Sequence, residues 1–135
     1  MRLRARATLG VFLALFAAAG MAADAPKEAK ATPLLSKDVI GVPGKELLML
    51  TVEYLPGGAT MPHRHDAQVF VYVLQGAIVM QVDGKEPVTL KAGDTFYENP
   101  TDVHRKSANA SATEPAKFLV FMVKDKGKPV TQPAS

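Results

Sequence analysis

Short runs of apolar residues separated by turn-forming residues dominate the sequence from residue 47 to residue 123, and almost none has the period of a helix. Residues 69–74 are apolar throughout and stop at Gln75-Gly76, while residues 77–82 end at Asp83-Gly84, a hairpin turn pair. The predicted strands are residues 47–55, 69–74, 77–82, 87–90, 95–98, 103 onward and 117–123. Seven or eight short strands with turn signals about 8–12 residues apart predict an all-β barrel or sandwich.

The flanks of this strand-rich region differ from it in composition. Residues 23–33 are small and polar, and residues 126–135 are rich in lysine, glycine and proline, so we predict a flexible leader and a flexible tail around one domain at residues 34–125. The runs 69–74 and 118–123 are apolar on both strand faces, and one barrel interior covers only one face. We therefore expect a homodimer that covers the other face.

The first 22 residues have the composition of an export signal. Arg2, Arg4 and Arg6 precede an uncharged apolar run at residues 7–19, and small residues precede the expected cleavage point after Ala22. The apolar run is shorter than the roughly 20 residues that a membrane-spanning helix needs, which favours cleavage over a retained anchor. We predict export to the periplasm of a Gram-negative bacterium, with no membrane attachment of the processed chain.

Charge and cysteine content exclude several classes of function. The chain has 16 basic and 13 acidic residues, but removing the predicted signal takes away three arginines and no acid, which leaves equal numbers. No stripe of basic residues indicates nucleic-acid binding. The chain has no cysteine, so disulfides, thiolate catalysis and lipoprotein attachment are excluded.

The chain's three histidines, His63, His65 and His104, are its candidate metal ligands. His63 and His65 are two residues apart, so on a strand both side chains point to the same face and can reach one ion. They follow a Pro-Gly-Gly turn and precede an apolar run, which places them where a strand enters the barrel. Such a pair, taken alone, also fits two solvated histidines in a surface loop.

The residues around the histidine pair resemble the first sequence motif of the cupin family. Gly57 lies six positions before His63, and Gly76 lies eleven positions after His65, as in that motif. The motif has a glutamate at the position that is Val69 in this chain.

The region around the third histidine resembles the second cupin motif. Gly93 lies eleven positions before His104, as the motif requires, although Asn99 and Thr101 replace its proline and its inner glycine. Asn109 follows His104 by five positions instead of the usual four. All three histidines thus match the histidine positions of the family, and the resemblance covers about residues 45–124.

The resemblance implies a jelly-roll β-barrel of about eight or more short antiparallel strands, with a divalent metal on three histidines and one glutamate inside it. Neutral imidazole suits iron, manganese, nickel, zinc and copper alike. Val69 cannot coordinate, and Gln68, one position earlier, offers a carbonyl oxygen that a bulge or a shorter turn after His65 would aim inward. We take Gln68 as the fourth ligand; the alternative is three histidines with water completing the shell.

Glu98 is a second candidate for the site. If Phe96 packs into the barrel, the alternation of a strand aims Glu98 inward as well, where it would ligate the metal or serve as a catalytic general base. If Tyr97 packs inward instead, Glu98 is solvated. Because both neighbours are aromatic, periodicity leaves the two possibilities open.

Five further side chains are candidate ligands or supporting residues. Three are methionines, Met61, Met80 and Met122, whose thioethers suit copper, although methionine in a barrel more often fills gaps in the core. Asp66 and Asp102 flank the histidines and are interpreted as turn residues or as residues that orient the ligands.

The predicted function follows from the predicted site, although one fold hosts many functions. We expect a periplasmic protein that binds or transforms a small molecule at a divalent metal held by His63, His65 and His104. As an enzyme it would be a metal-dependent dioxygenase, isomerase or lyase. The alternatives are a non-catalytic module that binds or senses a ligand or metal, and a structural barrel with a vestigial site.

Overall fold

A computed structural model describes residues 29–134, which form two antiparallel sheets without an α-helix. The strands are β1 Lys30–Asp38, β2 Lys45–Tyr54, β3 Ala59–Thr60, β4 His63–Arg64, β5 Ala67–Gln75, β6 Ala77–Val82, β7 Val88–Lys91, β8 Thr95–Glu98, β9 Val103–Asn109, β10 Ala116–Asp125 and β11 Gln132–Pro133. The predicted signal peptide, residues 1–22, and most of the predicted leader lie outside the described residues. Within the described part of the chain, no helix is long and apolar enough to cross a membrane.

The two sheets face each other and share one core. The first sheet has the strand order β1-β2-β10-β5-β8, and the second has the order β11-β4-β9-β6-β7 with β3 also paired to β9. Side chains alternate sharply along β5, where Val69, Val71 and Val73 are buried while Phe70 and Tyr72 are exposed. Strand side chains point alternately to opposite faces, so one face of each sheet forms the core. The all-β jelly-roll prediction is confirmed.

The core is formed by large apolar side chains from both sheets. Tyr54, Ile78, Met80 and Met122 are among the largest fully buried side chains. Tyr54 and Phe118 pack with their ring centroids 5.5 Å apart. The strands predicted from the apolar runs are therefore those that supply the core.

The flanks contain two edge strands that the sequence did not predict. The predicted leader extended to residue 33, but β1 begins at Lys30 and pairs with β2 along its length. The tail was predicted to be flexible, yet Gln132 and Pro133 form β11 and pair with β4. Both strands lie at sheet edges and bury few side chains, so the polar composition that indicated flexibility gave no sign of backbone pairing.

The turn between β5 and β6 requires the last glycine of the first motif. Gly76 has a φ of +72°, and a Cβ atom there would lie 2.5 Å from the carbonyl oxygen of Pro115. Any side chain would therefore both strain the backbone at Gly76 and collide with the backbone at Pro115. The turn carries the chain from β5 in the first sheet to β6 in the second.

Candidate metal centre

Strand pairing in the second sheet brings the three histidines together. β4 pairs with β9 so that His63 lies directly opposite His104. His65 follows β4, and the ring centroids are 4.9 Å apart for His63 and His65, 5.2 Å for His63 and His104, and 6.0 Å for His65 and His104. The three rings therefore lie within 6.0 Å of one another, centroid to centroid.

A β-bulge in β9 aims His104 inward. The register between β6 and β9 shifts at this point, with Gln81 opposite Lys106 but Val82 opposite His104, so Arg105 is the extra residue. Because of this extra residue, Ser107 and His104 both face the interior although they are three positions apart. The same extra residue accounts for the spacing of five between His104 and Asn109.

Glu98 reaches the histidines from the first sheet. Phe96 packs against the core while Tyr97 is 43% exposed, so the alternation of β8 aims Glu98 inward, where it is 3% exposed. Its Oε2 lies 2.6 Å from Nε2 of His104 and 3.7 Å from Nε2 of His65. The structure thus selects the first of the two possibilities left open by the sequence.

The carboxylate of Glu98 stands beside the position where the first motif has its glutamate. Val69, at that position, is buried on β5 and lies directly opposite Glu98 of β8 in the sheet register. Side chains of such cross-strand partners have Cβ atoms roughly 4.5–5.5 Å apart. A carboxylate is therefore present in the same part of the interior, supplied by the neighbouring strand.

The structure does not bring Gln68 to the histidines, which corrects the expectation that it is the fourth ligand. Ala67 and Val69 on either side are buried, and Gln68 is exposed. It lines a depression on the outer surface together with Asp66 and Pro100. No bulge interrupts the pairing of this segment, so regular alternation directs Gln68 outward.

The other candidates from the sequence take up structural roles. Met80 and Met122 are buried in the core, whereas Met61 is 67% exposed. Asp102 accepts a hydrogen bond from the backbone N–H of Asn99 at 2.9 Å and so closes the turn after β8. Asp66 accepts a hydrogen bond of 2.7 Å from Nε2 of Gln132 in the C-terminal segment.

Two of the histidine rings are oriented by backbone carbonyls. Nδ1 of His63 lies 2.9 Å from the carbonyl oxygen of Met61, and Nδ1 of His65 lies 2.6 Å from that of Val130. A carbonyl only accepts, so each Nδ1 carries the hydrogen and each Nε2 keeps its lone pair for a ligand. Burial lowers the pKa of His63, and the hydrogen bond to Met61 has a smaller effect in the opposite direction. The lowered pKa favours the neutral form of the ring, which is the form that binds metals.

The buried ring of His104 provides the test of whether these residues fit a metal. His104 is 2% exposed, and within residues 29–134 neither of its ring nitrogens has a hydrogen-bond partner. The 2.6 Å approach of Glu98 Oε2 to Nε2 is thus a close contact without hydrogen-bond alignment. An unpartnered buried imidazole is costly, and coordination of Nε2 would satisfy it. As it stands, no group of three or more histidine, aspartate or glutamate side chains within residues 29–134 has a geometry that could hold a metal ion.

The four polar side chains lie at the wall of an interior cavity of about 240 Å³. Most of the other lining is aliphatic, including Leu50, Val71 and Val120. A second polar cluster on the wall consists of the hydroxyl groups of Tyr54, Thr60 and Ser107.

The hydroxyl groups form a connected set. Tyr54 Oη lies 2.7 Å from Ser107 Oγ and 3.4 Å from Thr60 Oγ1, and Ser107 Oγ donates to Sδ of Met80 at 3.2 Å. Burial raises the pKa of Tyr54, so its phenol stays neutral. No motif in the sequence singles out these residues; strand alternation alone predicts that Tyr54 shares a face with Leu50.

Two packed antiparallel sheets with a histidine–glutamate cluster inside define a jelly-roll protein with a candidate metal centre. The sequence profile of the cupin domain matches residues 50–122. The chain therefore belongs to the cupin domain family. No curated protein matches the sequence significantly.

Solved structures share this fold at low sequence identity. An uncharacterized conserved protein with a double-stranded beta-helix domain from Klebsiella pneumoniae has 20% identity and a TM-score of 0.62, over 78% of this chain and 85% of that one. An oxalate oxidase in complex with the substrate analogue glycolate has 24% identity and a TM-score of 0.61, over 81% of this chain and 56% of that one. The DMSP lyase DddQ from Ruegeria pomeroyi has 19% identity and a TM-score of 0.57, over 65% and 43% of the two chains. At these identities the likeness shows the fold alone.

Proposed function

We propose that this chain is a metal-dependent cupin that binds or transforms a small molecule, with one divalent ion held by His63, His65, His104 and Glu98. The observation that carries the proposal is the convergence of three imidazoles and one buried carboxylate on one cavity wall. A carboxylate and imidazoles are ligands that iron, manganese, nickel, zinc and copper all accept. The ion's identity is therefore left to measurement.

The protein's own residues prepare this site in three ways. The carbonyls of Met61 and Val130 hold two rings with Nε2 free. Glu98 supplies the negative charge that offsets a divalent cation, in a buried position where such compensation counts most. The aliphatic residues make the rest of the cavity wall apolar. A divalent ion bound there would supply Lewis acidity or redox chemistry towards a ligand oxygen.

The cavity limits what the ligand can be. Its volume of about 240 Å³ is below the roughly 300–1,000 Å³ typical of pockets for drug-sized molecules. An apolar body of a few carbon atoms fits the aliphatic wall, with one polar group at the metal end and a second near the Tyr54 hydroxyl. The similar folds include an oxalate oxidase and a DMSP lyase, so oxalate, glycolate and DMSP are the first compounds to test.

A non-catalytic binding protein is the second candidate function. If Glu98 coordinates the ion, it is not available as a general base, and the other polar cavity groups are hydroxyls. The raised pKa of Tyr54 keeps its phenol protonated, which suits hydrogen bonding to a ligand better than proton abstraction. Turnover distinguishes the two candidates: an enzyme consumes a bound compound, and a binding protein only retains it.

Thermal shift measurements with the five metals, followed by the three compounds, test the proposed function. We expect at least one ion to raise the melting temperature of chelator-treated protein, and a small ligand to raise it further only in the loaded protein. If none of the five ions has any effect, the proposed metal function is contradicted.

We also propose that the chain is exported and processed after Ala22. The arginines and the short apolar run of the first 22 residues support this. Mass spectrometry of the protein isolated from its host should give a chain beginning at Ala23. A mature chain that retains Arg2 would contradict export by this signal.

We propose further that the chain forms a homodimer through the outer face of its first sheet. Register places five apolar residues in one row across all five strands: Leu35, Met49, Phe121, Phe70 and Tyr97. Phe70 and Tyr97 are 45% and 43% exposed, with ring centroids 5.0 Å apart. Five strands span about 19 Å at the usual strand spacing, so the row is wide enough for a symmetric contact.

A further inference from the structure

We infer that the C-terminal strap, residues 130–134, is a positioning element of the candidate metal centre that fixes the ring of His65 and forms part of the cavity wall. The inference deepens the proposed function and rests on it for the role of His65. The strap follows the last long strand and returns to the histidine strand β4. It belongs to the tail whose composition predicts flexibility, yet it makes specific contacts with the segment that carries His63 and His65.

Backbone pairing holds the strap along β4. Gln132 lies opposite Arg64 and Pro133 lies opposite His63 in the antiparallel register. The backbone N–H of Ala134 donates to the carbonyl oxygen of Pro62 at 3.2 Å. The strap is therefore the edge strand of the second sheet at the point where that sheet carries two candidate ligands.

The side chain of Gln132 fixes both sequence neighbours of His65. Its Oε1 accepts a hydrogen bond of 3.1 Å from Nη2 of Arg64, and its Nε2 donates one of 2.7 Å to Oδ2 of Asp66. One amide thus uses its acceptor and its donor on residues 64 and 66, on either side of the histidine. This arrangement holds the backbone of His65 against the strap.

The ring of His65 takes its orientation from the strap itself. Its Nδ1 lies 2.6 Å from the carbonyl oxygen of Val130, 65 positions away in sequence. The carbonyl fixes the hydrogen on Nδ1, so Nε2 is left as the donor atom on the side of Glu98, 3.7 Å from its Oε2. The corresponding partner of His63 is Met61 on the same segment, two positions away. His65 is therefore the ring whose orientation depends on a distant part of the chain.

The strap also closes the cavity beside His65. Val130 and Thr131 line the cavity together with the four candidate ligands. The strap's strand has only two residues and lies at a sheet edge, so it is a part of the wall that can separate without disrupting the core. Ligand entry and the orientation of His65 are thereby coupled through one segment.

The test compares the full chain with Gln132→Ala and with a chain that lacks residues 129–135. Nitrogen NMR of the metal-free proteins reports the tautomer of His65, and titration with Co²⁺ reports metal affinity. Ser36→Ala is the control, because that hydroxyl also makes an exposed side-chain hydrogen bond, 3.1 Å to Oε2 of Glu46, but lies on β1 at the edge of the first sheet. Circular dichroism verifies that each variant keeps its β-sheet signal.

We expect the full chain and the Ser36→Ala variant to hold His65 in the Nδ1–H tautomer and to bind Co²⁺ alike. The truncated chain should show a mixture of tautomers and a Co²⁺ affinity about 10- to 100-fold lower, the range for losing a partner that orients a ligand. Gln132→Ala should lose about threefold, because two exposed hydrogen bonds go while backbone pairing remains. If the truncated chain does not fold, the tautomer and the Co²⁺ affinity of the Gln132→Ala variant test the role of the strap.

An unchanged tautomer and unchanged Co²⁺ affinity in the folded variants would contradict the proposed role of the strap and leave the proposed function intact. If the full chain binds no Co²⁺ and no other metal, the proposed function fails instead. The tautomer in the metal-free proteins then still decides whether the strap positions His65.

Discussion

The two sheets of this protein differ in regularity and in what they carry. The first sheet is made mainly of strands of nine or ten residues, and the inner faces of β2, β5 and β10 are almost entirely apolar. The second sheet includes three strands of two residues and a bulge, and it carries His63 and His104, with His65 directly after β4. The comparison indicates that the first sheet mainly supplies stability and the second supplies the site, with Glu98 as the first sheet's contribution to the chemistry.

The largest effect is expected from the core of the first sheet. Phe118→Ala removes a side chain that is 4% exposed and packs on Tyr54, so the free energy of unfolding should fall by about 3–5 kcal/mol. Urea denaturation of the metal-free protein measures it. Leu55→Ala is the control, since Leu55 is 62% exposed and should change stability by less than about 0.5 kcal/mol. If Phe118→Ala lowers the free energy of unfolding as little as Leu55→Ala does, the first sheet is not the main source of stability.

His104→Ala should separate binding from stability. Zn²⁺ affinity should fall by more than about 100-fold, beyond the range for residues that merely orient a ligand. The free energy of unfolding of the metal-free variant should fall by about 2 kcal/mol, less than for Phe118→Ala, because the substitution leaves a cavity and removes the ring 2.6 Å from the buried Glu98 carboxylate. Calorimetric titration and urea denaturation give the two quantities. Severe destabilisation of the metal-free variant would show that the second sheet also carries the core.

Glu98→Gln and Gln68→Ala form a matched pair for the fourth ligand. Replacing the buried carboxylate by a neutral amide of the same size should weaken Zn²⁺ binding by about 10- to 100-fold. Gln68 is exposed, so its substitution should leave the affinity within about twofold. The reverse order of effects would restore Gln68 as the ligand and require β5 to rearrange on metal binding.

A substitution on the outer face of the first sheet should change the oligomeric state and leave the metal affinity unchanged. Phe70→Lys places a charge in the middle of the apolar row and should convert the dimer to a monomer, as light scattering would show. Val88→Lys is the control, because Val88 is 41% exposed on the second sheet and lies outside that row. A parent protein that is monomeric at micromolar concentration contradicts the proposed dimer.

The smallest effect is expected from removing the metal from the intact protein. Chelation should lower the melting temperature by several degrees, as expected for a binding contribution of about 1–2 kcal/mol in a domain of this size. The β-sheet circular dichroism signal should persist, because the apolar side chains of the core pack together without a metal. Complete unfolding on chelation would mean that the metal is structural.

The sequence predicted the interior strands well because their apolar runs are long and end at clear turns. It missed β1, which has eight exposed residues out of nine and pairs through its backbone at a sheet edge. It missed β11 because a strand of one glutamine and one proline has no apolar periodicity to detect.

The candidate site was predicted in part, for a similar reason. The histidine spacing predicted the convergence of three rings, but the fourth side chain depended on which residue of β8 lies opposite Val69. Cross-strand register is set by the packing of the whole sheet and is not visible in local periodicity. The sequence therefore favoured Gln68, the neighbour in the chain, over Glu98, the neighbour in space.

The most direct test of the central claim is the metal content of the protein isolated from its native compartment, by elemental analysis. The account predicts about one equivalent of a single divalent transition metal per chain in the parent protein. It predicts essentially none in a folded variant with His63, His65 and His104 all replaced by alanine. If the triple variant retains the metal, the ion is held elsewhere and the assignment of this site is contradicted.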